Sequence, residues 1–87
     1  MLLADLPLGT LASVEQVHPA DPEIDAAVLR RLAELGFLPG EPVQVVQRGP
    51  GGREPLAVLV GDTLFALRRL EARCIHVNTA SMEPVHG

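Results

Sequence analysis

Arg30-Arg31-Leu32-Ala33-Glu34-Leu35-Gly36-Phe37-Leu38-Pro39-Gly40 leads, after Glu41-Pro42, into Val43-Gln44-Val45-Val46-Gln47-Arg48. The stretch reads as the end of a short amphipathic helix, a glycine stop, a tight corner and the opening strand of an antiparallel set. Gly36 suits the left-handed position just past a helix, which a side chain would resist. Pro39 then fixes φ and removes a donor, and Gly40 supplies the permissive backbone a turn needs.

Upstream, Ile24, Ala27, Val28, Leu32 and Leu35 recur at spacings of three and four and form one apolar stripe. The spacing predicts a helix from Pro22 or Glu23 to Leu35, with Asp21 as N-cap and Pro22 in the first turn. Before it, Leu11–Val17 alternates as a strand, Ala12 and Val14 on one face and Ser13 and Glu15 on the other. Residues 2–6 suit one apolar turn.

Downstream, Gly49–Pro55 is too rich in glycine and proline to hold a strand. Leu56–Val60 and Thr63–Leu67 flank Gly61-Asp62, which suits a two-residue hairpin. The run Leu56–Val60 fits a strand covered on both faces, or one packed on a partner. Arg68–Cys74 suits one helical turn and Ile75–Val77 a short last strand. The reading is mainly β: a small, partly open barrel of about five strands with one α-helix inserted after the first strand. Such closure limits exposed strand edges. Residues 1–78 form the domain, and 79–87 a polar, flexible tail.

Composition narrows the functions. Eighty-seven residues make one domain, and a hydrophobic fraction of 47% is globular rather than disordered. Two Phe, no Tyr and no Trp leave an aliphatic core and argue against polyproline grooves or base-stacking surfaces. The net charge of −4 and the scattered Arg48, Arg53, Arg68, Arg69 and Arg73 argue against nucleic acid as a partner. A single cysteine, Cys74, excludes an internal disulfide and fits a reducing, cytoplasmic compartment. No apolar run approaches the roughly 20 residues of a membrane span, and the start lacks a signal-peptide pattern.

Catalytic arrangements are missing from the sequence. The chain has no lysine and no phosphate-binding loop, and Gly49-Pro50-Gly51-Gly52 lacks the following helix that phosphate cradling needs. Ser13, Thr63 and Ser81 have no local base, so the chain reads as a non-enzyme. Cys74 and His76, two apart on an expected strand, would share a face and begin a Zn²⁺ or Fe²⁺ site. The opposing reading makes Cys74 a small buried hydrophobe and His76 polar surface. Weak capture of a divalent ion between molecules by a His and carboxylates such as Asp21 or Glu23 is a further option. The other candidate is a surface. At the corner, at most one of Phe37 and Leu38 turns inward; an outward Phe37 would anchor a partner, and an inward one would cap the barrel.

The order of these pieces resembles the ferrous-iron transport protein A family, FeoA. The residues that carry the resemblance are Leu3, Leu6 and Gly9, then Arg31-Leu32, Leu35-Gly36 and Pro39-Gly40, then Val43, Val45, Arg48 and Pro50. Val60-Gly61-Asp62, Ala66-Leu67-Arg68, Glu71-Ala72 and Ile75-His76-Val77 complete it, so that it spans about Leu2 to Val77. The resemblance implies an SH3-like barrel in the cytosol that binds and regulates a FeoB-type transporter. That partner's GTP-binding domain would hold the nucleotide chemistry. The candidate contact surface is Leu35, Gly36, Phe37, Leu38, Pro39 and Gly40, of which Leu35, Gly36, Pro39 and Gly40 match the family motif; the chain is expected to be a monomer or weak homo-oligomer that requires no cofactor. The loops Val17–Glu23 and Gly49–Pro55 depart from the simplest family pattern. Two alternatives accompany this reading: a regulatory barrel related to iron-repressor C-terminal domains, and a metal-binding or metal-delivery protein using Cys74 and His76.

Overall fold

The computed structural model describes residues 1–52 and 54–79. Five strands, β1 Leu11–Val17, β2 Pro42–Arg48, β3 Leu56–Val60, β4 Thr63–Leu67 and β5 Ile75–Asn78, form one antiparallel sheet. Their spatial order is β4-β3-β2-β1-β5. Helix α1, Ala26–Leu35, fills the β1–β2 connection, and the one-turn helix α2, Arg69–Ala72, joins β4 to β5. A 3₁₀ turn at Leu3–Asp5 precedes the sheet, and a second lies at Pro50–Gly52 in the long loop. The mainly β architecture with one inserted helix is as the sequence indicates.

The sheet curls because its strands are not evenly paired. Register shifts interrupt β1–β5 between Val14 and Gln16, and β2–β3 between Val45 and Gln47. Each extra residue bends its strand and sharpens the local twist. The curl wraps a core led by Phe37, Leu3, Leu6, Leu32, Leu56, Leu67 and Ile75, all nearly or fully buried. In β3, Leu56, Val58 and Val60 are buried and Ala57 and Leu59 partly so, and no residue of the strand is fully exposed. Ser13, expected on the face opposite Ala12, is also buried, its hydroxyl donating to the Asn78 carbonyl at 3.3 Å.

The N-terminal residues act as an edge guard. The Val77 N–H donates to the Met1 carbonyl at 2.8 Å, and Leu2 bridges to His76. These contacts cover the outer side of β5, which would otherwise present unpaired backbone groups. Arg48 holds the same segment from β2, one guanidinium nitrogen donating to the Ala4 and Leu6 carbonyls at 3.2 and 2.9 Å.

Helix α1 begins later than its apolar spacing suggests. Asp25, not Asp21, is the N-cap: its Oδ1 accepts the Ala27 N–H at 2.7 Å. Asp21 instead closes a turn of its own, accepting the Glu23 N–H at 2.8 Å. Ala27 is consequently exposed, while Leu29 joins the partly buried side. The helix ends as expected. Gly36 has φ 116°, its N–H donates to the Ala33 carbonyl at 3.0 Å, and the Phe37 N–H donates to the Leu32 carbonyl at 3.1 Å. This paired pattern satisfies the last-turn carbonyls and brings the residue after glycine back towards the helix.

Candidate functional site

The last two bonds settle the direction of Phe37. Its ring is 1% exposed and lies 6.2 Å from the ring of Phe65, centroid to centroid. Phe37 therefore supports the corner from inside and is not itself offered to a partner. Leu38 is the outward residue at 47% exposure, flanked by exposed Pro39 and Gly40, whereas Leu35 and Gly36 are half-buried.

A groove among the described residues lies beside this corner's helix. It has a volume of about 490 Å³ and runs between α1 and the β4–α2 segment. Ile24, Val28, Ala66 and Leu70 give it apolar walls, and Arg31, Arg68 and Glu71 supply its polar groups. Leu70 is 43% exposed, an apolar side chain at the groove with no core position to fill.

The acids and arginines here are divided in their work. Glu71 Oε1 accepts the Arg68 N–H at 2.8 Å, and Glu54 Oε2 accepts the Arg69 N–H at 3.0 Å. Both carboxylates thus satisfy backbone donors at the start of α2, which has no preceding turn to pair them. Glu71 Oε2 also meets Arg31 at 3.5 Å, across elements 40 residues apart. Arg31 remains 68% exposed in that contact, so most of its guanidinium faces solvent.

All seven basic residues of the chain are arginines. Arg48 is engaged with the N-terminal segment, and Arg53 lies outside the described residues. The other five, Arg30, Arg31, Arg68, Arg69 and Arg73, fall on α1 or around α2 and are exposed. Of these, Arg31 and Arg68 line the groove.

Cys74 and His76 are not brought together as a ligand pair. Cys74 precedes β5, in the turn that closes α2, so strand alternation does not govern it. Its side chain is fully buried, with the thiol donating to the Leu70 carbonyl at 3.4 Å. His76 faces out of the sheet, half-buried, and its ring lies 5.5 Å from that of His18. The pairing of these two histidines was not legible in the sequence because they sit 58 positions apart. Among the described residues, no three or more His, Cys, Asp or Glu side chains gather to hold a metal ion. No helix among them is long and apolar enough to cross a membrane.

Comparison with known proteins bears on this surface. The model of the FeoA domain matches residues 1–79. The chain belongs to the FeoA family. Among solved structures it is similar to Stenotrophomonas maltophilia FeoA, with 52% identity, 93% of each chain covered and a TM-score of 0.80. That protein, complexed with zinc, is described as a prokaryotic SH3 domain protein and a candidate ferrous iron transport activating factor. FeoA from Chlorobium tepidum is 35% identical over 99% of this chain and 76% of that one, with a TM-score of 0.77. A manganese-dependent transcriptional repressor shares the fold alone, at 21% identity and a TM-score of 0.69 over 86% of this chain and 39% of that one. No curated protein sequence matches the chain. FeoA membership accounts for the barrel and helix, and ties the chain to ferrous iron transport through an accessory family that is not a known enzyme family.

Proposed function

We propose that this FeoA-family chain is an accessory of ferrous-iron uptake that docks on the cytosolic part of a FeoB-type transporter. The observation that carries the reading is the FeoA domain match over residues 1–79. The 52% identity to a candidate ferrous iron transport activating factor supports it. The groove between α1 and α2 supplies the means: apolar walls for an inserted side chain and an arginine rim that selects an acidic neighbour. From the corner, Leu38 adds the exposed apolar contact, over the rigid support of buried Phe37.

A small domain alters a transporter only by binding one of its conformations more tightly than another. The chain therefore works in the cytoplasm, needs no cofactor of its own, and leaves nucleotide chemistry to its partner. Deletion of the chain should lower the initial rate of ferrous-iron uptake in iron-limited anaerobic cells, and the wild-type chain should restore it. An unchanged uptake rate on deletion would contradict the role.

A further inference from the structure

His18 follows β1 directly, and its N–H donates to the Cys74 carbonyl at 2.8 Å. The β1–β5 ladder thus runs one residue beyond the pair Val17 and Ile75. Gln16 pairs with His76, so His18, two residues further on, is the diagonal neighbour of His76. Diagonal neighbours stand about 7–8 Å apart, within reach of ring side chains. Ile75 and Val77 are buried, so the intervening His76 points outward, to the side where His18 is exposed. The two rings meet edge to face, with centroids 5.5 Å apart and planes at 88°.

That spacing has a chemical meaning. A tetrahedral metal bound by two imidazole nitrogens at about 2.0–2.1 Å holds the ring centroids about 5 Å apart. Such a site requires the ring nitrogens to turn towards a common point by rotation about the side-chain torsions. We propose that His18 and His76 form a two-imidazole site for a borderline divalent cation such as Zn²⁺ or Fe²⁺. Imidazole nitrogens suit both ions, and Zn²⁺ binds such donors more tightly than Fe²⁺. Two protein ligands leave the remaining positions to water, so the ion exchanges readily and is not a structural staple. The buried Cys74 thiol takes no part. This site rests on the β1–β5 register alone and stands or falls independently of transporter docking.

The test is calorimetric titration of Zn²⁺ alone into the metal-free full chain, beside His18→Ala, His76→Ala and Cys74→Ala. The wild-type chain should bind saturably, and each histidine variant should bind at least about tenfold more weakly. Cys74→Ala should retain the wild-type affinity. His76→Gln, which keeps a polar side chain on β5, should lose affinity like His76→Ala while retaining the wild-type circular dichroism. In NMR spectra, the ring C–H signals of both histidines should shift over the same range of added Zn²⁺. Absence of saturable binding, or folded histidine variants that bind as wild type does, would overturn the site. So would loss of binding in Cys74→Ala alone.

Discussion

Gly36 sits at φ 116°, and a Cβ built there would meet only Val60 Cγ1, at 3.9 Å. Space is therefore not the constraint; the left-handed backbone is. Gly36→Ala should cost about 1–2 kcal/mol, and Gly36→Asn less, because Asn tolerates that region better. Urea unfolding midpoints measure the difference, and equal costs would point to crowding instead. The neighbouring pair behaves oppositely. Phe37→Ala should destabilise by about 3–5 kcal/mol as a core truncation. Leu38→Ala, at an exposed position, should stay within about 0.5 kcal/mol of wild type. The glycine stop was legible in the sequence because few residues fit it. The choice between Phe37 and Leu38 was not, since either direction suits the corner until the Phe37 N–H bonds the Leu32 carbonyl.

Among the elements, α1 shows where local signals compete. Asp21-Pro22 and Asp25 both resemble a helix start, and the apolar residue Ile24 lies between them. The structure gives the cap to Asp25, so Asp25→Ala should cost about 1 kcal/mol. Asp21→Ala, which loses only a turn outside the helix, should cost less; thermal unfolding of the two variants compares them directly. Both hairpin strands were read correctly because Gly61-Asp62 leaves no freedom in their register, pairing Val60 with Thr63. The face of Cys74 was misread for a related reason. Alternation presumes a strand, and the chain is still leaving α2 at that residue. Arg48 links elements instead of belonging to one. Arg48→Met should free the Leu3–Asp5 turn and cost about 1–3 kcal/mol through the two carbonyls left without their donor. Faster amide exchange at Asp5 and Leu6, whose N–H groups close that turn, would report it.

At the scale of the whole molecule, an acidic chain places two arginines at one groove. Net charge is −4, yet Arg31 and Arg68 both line the groove between α1 and the β4–α2 segment. The fold class was visible in turn chemistry and strand spacing, which are local. The groove was not, because Ile24 and Val28 meet Ala66 and Leu70 only through packing across some forty positions. The Arg31–Glu71 contact is a surface pair worth less than about 1 kcal/mol, so charge reversal at Arg31 should leave the fold intact. Docking of an acidic partner, by contrast, should weaken as salt screens the arginine rim, since the Debye length falls from about 10 Å at 0.1 M to about 3 Å at 1 M.

The most direct measurement is titration of the chain into the isolated cytosolic GTP-binding domain of its own cell's FeoB-type transporter, in each nucleotide state and at two salt concentrations. Arg31→Glu with Arg68→Glu, and separately Leu70→Asp, serve as the groove variants. Saturable binding that depends on nucleotide state, weakens with salt and falls at least about tenfold in both variants is the predicted result. Absence of binding in every nucleotide state, or groove variants that bind as tightly as wild type, would contradict docking through this surface.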